Sequence, residues 1–482
     1  MTRRTKILAT LGPATDKPGV LESILEAGVN VVRINFSHGS EQEHLGRVEA
    51  VREWAQVNNT YVGILMDLQG PKIRIASFKN GIKIELNNGD HFALDADQDA
   101  LLGNQDSVGI AYKTLPQEVK SGNVLILDDG KIVLEVTSIV GNKINTLVKQ
   151  GGTLSDKKGI NLRGGGLSAN ALTEKDKKDI FTAAKAKADY VALSFPISGD
   201  DVRETKALLV QAGCEAGVIS KIERAEALKE ETILDIINES AGIMVARGDL
   251  GVEIGDAQLP AQQKRLIKLA RSNDRIVITA TQMLESMIEN PIPTRAEVFD
   301  VANAVLDGTD AVMLSAETAA GAYPKNAVLT MAEVCAEAEK NPIAKISHHR
   351  LDESFKKIDE TIAMSAMYAA NHINASAVVA LTQTGKTTLW MSRISSNISI
   401  YAMSDSVQTL RKVTLYRGVY PCGIVKNTGD EWSDVNQKVV DALTKNGAVK
   451  DKDLVVLTKG MYKDESGGTN TMKILRVGDT GY

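Results

Sequence analysis

Two charged segments directly follow apolar segments in this sequence, and their residue types suit chemistry on an anionic substrate. Apolar Gly242–Ala246 leads into a charged turn that contains Asp249, and apolar Val218–Ser220 leads into Lys221 and Glu223. Short apolar segments of this kind are typical of strands buried in a parallel sheet. Because side chains alternate along a strand, Lys221 and Glu223 are predicted to point to the same side.

The charged turn combines backbone donors for an anion with an oxygen ligand for a metal. Gly248 and Gly251 allow backbone N–H groups to approach a ligand closely. Asp249 supplies a carboxylate of the kind that binds Mg²⁺. Together with Lys221 and Glu223, this set suits a substrate that carries both a carboxylate and a phosphate. Two surface turns with ordinary salt bridges are the alternative, but two such turns at neighbouring strand ends favour a site.

Composition excludes several classes of protein. The chain has 482 residues, 43% of them apolar and 24% charged, which is typical of a globular protein of two or three domains. A formal net charge of −5 and an aromatic content of 4% argue against a general binder of nucleic acid or of membrane surfaces. Cys214, Cys335 and Cys422 lie far apart, which indicates buried thiols in a reducing compartment.

The sequence also lacks the patterns of a membrane or secreted protein. No apolar run approaches the roughly 18 residues of a membrane span. No hydrophobic signal region precedes the first predicted strand. We therefore expect a cytoplasmic protein.

Strands and helices alternate at near-even spacing through most of the first 345 residues. The predicted strands are Lys6–Gly12, Val31–Ser37, Val62–Leu68, Tyr190–Phe195, Gly217–Glu223, Gly242–Asp249, Val277–Gln282 and Ala311–Ser315. Nearly all of them end in polar residues, which predicts a (β/α)8 TIM barrel with its site at the carboxyl ends of the strands. An open doubly wound sheet is the alternative, but eight near-even units favour closure.

This alternation is interrupted once, and a different domain follows the barrel. Between residues 71 and 167 short alternating segments and turns predict a small all-β domain inserted after the third strand. Helices then alternate with Ala377–Leu381, Ile398–Ala402 and Leu454–Leu457, which predicts a C-terminal α/β domain. We assign residues 1–70 and 168–345 to the barrel, 71–167 to an inserted β-barrel domain and 346–482 to the C-terminal α/β domain.

The first strand of the C-terminal domain leads into a turn rich in hydroxyl groups before a helix. Such a turn can hold a phosphate through its backbone N–H groups and its hydroxyls. A capped helix start explains the same residue types. The residues of this turn that could hold a phosphate are Thr382, Thr384, Gly385, Lys386 and Thr387, with Ser466–Asn470 as a companion loop.

The strand ends of the barrel carry cations among oxygen ligands, a combination that suits phosphoryl transfer. These residues are Arg33, Asn35, Ser37, Asp67, Arg74, Lys221, Glu223, Asp249, Thr281 and Ser315. His38 and His44 do not form a zinc cluster, because hard oxygen ligands dominate. Thr281 or Ser315 could pass a proton through water or satisfy a backbone group. The residues alone therefore predict a Mg²⁺-dependent barrel enzyme for a phosphorylated, anionic substrate.

Six motifs closely resemble those of the pyruvate kinase family, most of all its bacterial members. They are Asn35–Gly39, Asp67–Arg74, Lys221–Glu223, Met244–Gly251, Thr281–Met287 and Met313–Thr318. The resemblance covers nearly the whole chain in order, including the β insertion and the C-terminal domain. It implies transfer of the phosphoryl group of phosphoenolpyruvate to ADP, which gives pyruvate and ATP, the final step of glycolysis.

The resemblance also implies roles for the residues that bind the phosphoryl donor. Glu223 and Asp249 would hold Mg²⁺ or Mn²⁺, and Lys221 would neutralise the phosphoryl group. Arg33 would bind phosphate and Thr281 would bind or protonate the enolate, with Ser315 nearby as a further catalytic candidate. The backbone N–H groups that would hold the substrate carboxylate belong to Ala246, Arg247, Gly248 and Asp249.

Further implied roles concern the nucleotide, a monovalent cation and regulation. The implied nucleotide-binding residues are Asn35, Phe36, Ser37, His38, Arg74 and Lys158. The implied K⁺ ligands are Asn35, Ser37, Asp67 and the carbonyl oxygen of Leu68. The family is typically a homotetramer, and its phosphorylated effectors bind in the C-terminal domain. The resemblance therefore implies that residues 71–167 act as a lid, that residues 346–482 form a regulatory domain and that the turn after its first strand binds the effector.

Lys72 departs from the familiar family pattern, in which many members carry Glu at this position and require K⁺. A fixed ammonium near Asp67 could supply the positive charge that K⁺ otherwise brings. A solvated lysine at the hinge of the insertion is the alternative. We therefore expect that K⁺ is not required, which places the K⁺ ligands in doubt.

Two other functions fit parts of the sequence. A carbon–carbon lyase could use a Mg²⁺-bound enolate on the same barrel, but it would need neither ADP nor Lys158. A non-catalytic regulatory binder would be expected to lack site residues, whereas every carboxylate and Lys221 are present.

Overall fold

Three parallel βα units open the chain and form the first part of a barrel. The computed structural model describes residues 2–345, 355, 357–423, 432–460 and 468–479. The first elements are β1 Lys6–Thr10, α1 Val20–Glu26, β2 Val31–Asn35, α2 Glu41–Val57 and β3 Gly63–Asp67. Ser40 and Glu43 form a capping box that starts α2, since each side chain bonds the other residue's backbone N–H.

Two small sheets follow β3, as the change in pattern after residue 70 predicts. They contain β4 Ile84–Leu86, β5 His91–Asp95, β6 Ser107–Gly109, α3 Leu115–Glu118, β7 Val124–Leu127, β8 Ile132–Val140, β9 Lys143–Gln150, β10 Gly152–Leu154 and β11 Ile160–Leu162. One sheet has the order β11-β7-β8-β9-β5-β6 and the other pairs β10 with β4. Their alternating apolar side chains form a core separate from that of the barrel.

The βα alternation then resumes and the barrel closes. The remaining strands are β12 Tyr190–Leu193, β13 Gly217–Ile222, β14 Gly242–Ala246, β15 Ile276–Ala280 and β16 Ala311–Leu314. The helices are α4 Glu174–Lys185, α5 Gly199–Gln211, α6 Glu230–Glu239, α7 Arg247–Ile254, α8 Leu259–Ser272, α9 Arg295–Asp307, α10 Ala316–Ala319 and α11 Pro324–Ala338. Because β1 pairs in parallel with both β2 and β16, the sheet is a closed eight-stranded barrel rather than an open sheet.

Several predicted strands extend beyond the observed ones at their carboxyl ends. The prediction of Gly242–Asp249 as one strand is wrong after Ala246, because α7 begins at Arg247. Likewise β15 ends at Ala280, so Thr281 follows the strand instead of ending it. In both places the chain turns sharply, which brings backbone groups toward the carboxyl face of the barrel.

The C-terminal domain is a five-stranded sheet with helices. Its elements are α12 Ile358–His372, β17 Ala377–Leu381, α13 Lys386–Arg393, β18 Ser399–Met403, α14 Val407–Lys412, β19 Val419–Pro421, α15 Trp432–Lys445, β20 Leu454–Gly460 and β21 Thr469–Arg476. The strand order is β19-β18-β17-β20-β21, with β21 antiparallel to β20. Short 3₁₀ turns lie at Lys79–Gly81, Glu226–Leu228, Glu285–Ile288, Pro342–Lys345 and Val413–Leu415. None of the helices within the described residues combines the length and apolarity that crossing a bilayer requires.

Two buried aspartates connect the amino-terminal ends of barrel strands to the C-terminal domain. Asp310, just before β16, accepts the backbone N–H of Val277 at 2.9 Å and pairs with Arg393 at the end of α13. Asp189, just before β12, accepts the N–H of Ile64 at 2.9 Å and Nε of Arg411 at 2.9 Å. Each carboxylate therefore joins a neighbouring barrel strand and the C-terminal domain at one point.

Replacing Arg393 with Met is expected to lower the free energy of unfolding by about 3–5 kcal/mol, because Asp310 would remain buried without its guanidinium partner. Denaturant unfolding of both proteins measures the difference. Arg203→Met is the matched control, since Arg203 is 44% exposed and solvent-exposed ion pairs contribute little to stability. Equal losses for the two variants would contradict this account of the domain contact.

Candidate active site

A buried network of opposite charges lies at the carboxyl ends of β2, β3 and β13. Lys221 Nζ is 2.8 Å from Glu223 Oε1 and 3.6 Å from Asp67 Oδ1. Arg33 Nε donates a hydrogen bond to Asp67 Oδ2 at 2.6 Å. The structure thus brings these four predicted site residues together. The 2.8 Å pair agrees with the predicted shared side for Lys221 and Glu223.

Two residues that the sequence analysis did not assign to the site complete this network. Ser194 accepts a hydrogen bond from Lys221 Nζ at 2.9 Å and donates one to the Leu68 carbonyl at 2.7 Å. The backbone N–H of Phe195 donates to Glu223 Oε2 at 2.9 Å. Both residues lie at the polar end of the fourth predicted strand, so the pattern that identified the other strand ends could have found them.

The carboxylates of this network share two cations, Lys221 and Arg33. Burial, followed by the nearby Asp249 carboxylate, raises the pKa of Glu223 to about 7 despite its contact with Lys221. Burial disfavours the Lys221 ammonium, but the Asp67 and Glu223 carboxylates outweigh it and hold the pKa of Lys221 above its usual value. A further cation would relieve this crowding of negative charge.

The oxygen donors present fit a hard cation that also binds a substrate. Asp67 Oδ1 is buried without a hydrogen-bond partner, although Lys221 lies 3.6 Å away. Within the described ranges no three His, Cys, Asp or Glu side chains form a metal-binding group. A divalent ion held by Glu223 and Asp249 would therefore complete its shell with oxygens of the substrate, the backbone or water.

The start of α7 faces the loop that contains Thr281. Gly248 N–H donates to Thr281 Oγ1 at 2.9 Å, and this hydroxyl donates to the Ala280 carbonyl at 2.6 Å. The first N–H groups of a helix have no partner within the helix and favour an anion. Here the first N–H groups of the helix are those of Arg247, Gly248 and Asp249. The Gly248 N–H is taken by the Thr281 hydroxyl, which thereby satisfies backbone atoms, one of its two predicted roles.

Thr281 adopts an unfavourable backbone conformation that Arg247 stabilises. Its φ is 69°, a left-handed conformation that is costly for a β-branched residue. Arg247 donates to the Ala280 carbonyl at 3.2 Å and the Thr281 carbonyl at 2.5 Å, and pairs with Asp300 at 2.6 Å. The Arg247 side chain thus holds the Thr281 loop, and a substrate contact by Arg247 would involve its backbone N–H.

Glu317 is a further buried carboxylate at this face that the sequence analysis did not identify. It accepts the N–H of Ser315 at 2.6 Å and of Leu284 at 3.3 Å. Burial raises its pKa in spite of these hydrogen bonds. The Glu317 carboxylate therefore holds the turn that begins at Ser315, after β16. It also binds Leu284, in the loop after β15.

The predicted nucleotide-binding residues fall into two groups. In the loop after β2, Asn35 Oδ1 accepts the N–H of Ser37 at 3.0 Å. In the inserted domain, Lys158 Nζ pairs with Asp128 at 2.8 Å, and Arg74 donates to the Lys157 carbonyl at 3.2 Å. Phe36 is buried and His38 is exposed in the first group. Arg74 and Lys158 therefore lie at the base of the insertion, apart from the Asn35–His38 loop in sequence.

Lys72 is exposed at the entrance to the inserted domain. Within the described residues, Asp67 forms its ion pairs with Arg33 and Lys221 instead. The structure therefore gives no direct contact for the proposed substitution of K⁺ by the Lys72 ammonium.

The predicted effector turn is closed by its own hydroxyl groups. Gly385, at a φ of 80°, precedes α13, and its N–H donates to Thr382 Oγ1 at 3.0 Å. Thr387 Oγ1 lies 3.1 Å from Thr469 Oγ1, which joins the turn to β21. Lys386 Nζ lies 4.9 Å from the Trp390 ring. Ser466 and Gly467 of the companion loop lie outside the described residues.

The chain segment that returns from the inserted domain to the barrel is tied to α7. Gly164 N–H donates to the Glu253 carbonyl at 2.9 Å, and Ala225 N–H donates to Glu253 Oε2 at 2.8 Å. Gly166 N–H donates to Glu226. Burial, opposed by the Ala225 N–H and assisted by Glu226, raises the pKa of Glu253 to about 7. Glu253, in the last turn of α7, thus binds the segment after β13 through its carboxylate and the segment that returns from the insertion through its backbone carbonyl.

Fold and site together define a class of protein: a (β/α)8-barrel enzyme with a charged site at its carboxyl face, an inserted β domain and a C-terminal α/β domain. Residues 2–328 match the family described as "Pyruvate kinase, barrel domain", and residues 360–475 match "Pyruvate kinase, alpha/beta domain". The chain belongs to the pyruvate kinase family.

Individual relatives agree over nearly the full length. Pyruvate kinase II of Salmonella typhimurium is 53% identical over 98% of this chain and 99% of its own. A pyruvate kinase of Haemophilus influenzae is 54% identical over 95% of this chain and 96% of its own. A crystal structure of a pyruvate kinase from Cryptosporidium parvum superposes with a TM-score of 0.92 at 34% identity, covering 98% of this chain and 96% of that one.

Glu253→Gln is expected to stabilise the protein at pH 8 and to have little effect near pH 4.5. A carboxyl group whose pKa rises from 4.5 to about 7 on folding binds its proton more tightly in the folded state, so the penalty for ionising it grows as pH rises from about 4.5 to 7. Glutamine avoids this penalty, and we expect a gain of about 3 kcal/mol at pH 8.

Urea unfolding at both pH values measures this difference, with exposed Glu231→Gln as the control for the loss of one negative charge. A gain of equal size at pH 4.5 and pH 8 would show that burial of an ionised Glu253 is not its cause.

Proposed function

We propose that this protein is a phosphotransferase that moves the phosphoryl group of phosphoenolpyruvate to ADP and releases pyruvate and ATP. The observation that carries this proposal is the buried Lys221, held between Glu223 and Asp67 beside the arginine of β2. Two cations among carboxylates suit a reaction in which negative charge moves from one oxygen to another. The names of its relatives support the same reaction.

The donor substrate would bind between the network and the start of α7. The N–H groups of Ala246–Asp249 would hold its carboxylate, and Arg33 and Lys221 would contact its phosphate. Glu223 and Asp249 would hold Mg²⁺ or Mn²⁺, which when bound neutralises phosphate and enolate oxygens. The enolate formed after transfer needs a proton, which the Thr281 hydroxyl would position or supply. Ser315 stays a candidate for the same proton path.

ADP would bind between the loop after β2 and the inserted domain. Asn35–His38 would contact the nucleotide from the barrel, and Arg74 and Lys158 would contact its phosphates from the insertion. The Lys158–Asp128 pair holds the Lys158 ammonium in place, since an ionised partner sets its position. We propose that residues 71–167 close over the nucleotide as a lid, with residues 1–70 and 168–345 as the catalytic domain.

We propose a homotetramer in the cytoplasm. Two surfaces expose large apolar side chains, as protein interfaces do. Ile292 and Phe299, near the start of α9, are 73% and 71% exposed. Ile358 and Tyr368 on α12 of the C-terminal domain are 70% and 62% exposed. One surface on each domain would give every subunit two different contacts, which is enough for a closed tetramer.

An assay of ATP formation from phosphoenolpyruvate and ADP, with and without Mg²⁺, tests the proposed reaction. A carbon–carbon lyase would form no ATP, and a non-catalytic binder would turn over neither substrate. ATP formation that requires the divalent ion supports the assignment of Glu223 and Asp249.

Lys221→Met is expected to slow phosphoryl transfer by several orders of magnitude while the fold is retained. It removes a cation whose interaction strengthens as charge develops in the transition state. Proton exchange at the methyl group of pyruvate should decrease less, because the carboxylates still bind the metal. Steady-state and exchange assays measure both, and exposed Lys206→Met is the control. Equal losses in the two assays would contradict this division of roles.

Activity is expected to be nearly independent of K⁺, and Lys72→Glu is expected to make it K⁺-dependent. An ammonium and K⁺ are both compact monovalent cations, so the Lys72 ammonium would supply the charge of K⁺ from the entrance to the inserted domain, without a contact to Asp67. Turnover in tetramethylammonium buffer with and without K⁺ measures the requirement. Lys83→Glu, an equal charge change at an exposed site of the insertion, is the control. A strong K⁺ requirement in the unmodified protein would refute the proposal for Lys72 and restore Asn35, Ser37, Asp67 and Leu68 as K⁺ ligands.

The turn before α13 is proposed to bind the phosphate of an activating sugar phosphate or nucleoside monophosphate. A coupling of about 1–3 kcal/mol to the barrel would suffice for activation. Thr384→Ala combined with Lys386→Ala is expected to abolish activation and leave basal turnover unchanged. Initial rates with a panel of such phosphates measure this, with Lys445→Ala as the control. Unchanged activation by every phosphate that activates the unmodified protein would show that the turn is only a helix cap.

A further inference from the structure

The first turn of α4 contacts two loops of the candidate site at the same time. Lys175 Nζ donates a hydrogen bond to the Phe36 carbonyl at 2.8 Å, in the loop after β2. Asp176 Oδ1 accepts the N–H of Gly70 at 3.1 Å, in the loop after β3. We call Lys175 and Asp176 the α4 clamp. It joins the loop assigned to the nucleotide with the point where the chain enters the inserted domain.

The clamp is held rigidly by the start of its own helix. Thr173 caps α4, and its N–H and hydroxyl both donate to Asp176 Oδ2, at 2.9 Å and 2.5 Å. Asp176 is fully buried. Asp179, one turn further along the helix, accepts from Lys175 Nζ at 2.6 Å. The ammonium is therefore directed at Phe36 by an ion pair instead of being free to rotate in solvent.

Phe36 is fixed on its other sides as well. Its N–H donates to the Asp67 carbonyl at 3.0 Å. Its buried ring packs edge-on against His44, with ring centroids 5.1 Å apart and an interplanar angle of 87°. The Lys175 ammonium lies 5.8 Å from the centre of the same ring. The end of β3, α2 and α4 thus set the position of one residue, Phe36, and Lys175 is the contribution of α4.

We propose that Lys175 is a positioning residue for the acceptor nucleotide: through the Phe36 carbonyl it sets the shape of the Asn35–His38 loop. This inference rests on the assignment of that loop to ADP under the proposed function. The residues assigned to phosphoenolpyruvate are Arg33 on β2 and groups on β13, α7 and the loop after β15. None of the contacts of Lys175 described above involves them, although Arg33 lies on the strand that precedes the loop. Loss of the ammonium therefore affects binding of ADP and leaves binding of phosphoenolpyruvate intact.

The experiment compares Lys175→Met with Lys175→Arg in the full-length protein. Lys175→Met is expected to raise KM for ADP by roughly fivefold to tenfold, the range for losing one charge-assisted hydrogen bond at a half-exposed residue. KM for phosphoenolpyruvate and kcat stay within about twofold. Lys175→Arg keeps a cationic donor and restores most of the ADP affinity. Calorimetric titration with ADP confirms that binding, rather than catalysis, has changed.

Lys178→Met is the matched control, because Lys178 is an exposed lysine of the same helix that makes no hydrogen bond or ion pair with the described residues. An unchanged KM for ADP in Lys175→Met, or a parallel rise in KM for both substrates, would overturn the inference.

His38→Ala separates this inference from the assignment on which it rests. If His38→Ala raises KM for ADP and Lys175→Met does not, the loop binds the nucleotide and only the role of Lys175 fails. If neither variant changes KM for ADP, the assignment of the loop to ADP fails together with the inference.

Discussion

The balance of charge around Lys221 is the constraint on which the candidate site depends. One buried ammonium contacts Glu223 at 2.8 Å and faces Asp67 at 3.6 Å, while Arg33 neutralises the other oxygen of Asp67. With Asp249, three carboxylates meet two cations, so the protein alone leaves negative charge in excess. Because burying an uncompensated charge costs several kcal/mol, this arrangement favours a bound cation, and that cation together with Arg33 and Lys221 would attract an anionic substrate.

The two ends of the closed barrel have different roles: the carboxyl ends of the strands carry the charged site, and the amino ends contact the C-terminal domain. At the carboxyl ends of the strands, side chains from β2, β3 and β13 and the start of α7 converge on one volume. At the amino ends, Asp189 and Asp310 bind arginines of the C-terminal domain. α13 starts at the candidate effector turn and ends at Arg393, so one short helix spans the distance between that turn and the barrel. An effector that moves this helix would act directly on a buried ion pair.

Residues outside the site set the backbone on which it is built. Arg247 stabilises the left-handed conformation of Thr281, and the α4 clamp fixes the peptide of Phe36. Neither Arg247 nor Lys175 needs its side chain to touch substrate in order to affect the reaction. Strained or loop-borne groups keep a productive geometry only where surrounding contacts determine it, which explains the density of polar contacts around these two loops.

The sequence by itself determined the barrel, the insertion, the C-terminal domain and most of the charged network, because apolar periodicity and polar strand ends are local properties of the chain. It missed β19, which has three residues and ends in Pro421, and β21, an edge strand with little apolar alternation. It also missed the roles of Ser194 and Glu317 at the site. It did not predict that the Arg247 side chain holds the Thr281 loop. Those roles depend on which strand ends and helix starts become neighbours, and only closure of the barrel brings residues so distant in the chain within hydrogen-bonding distance.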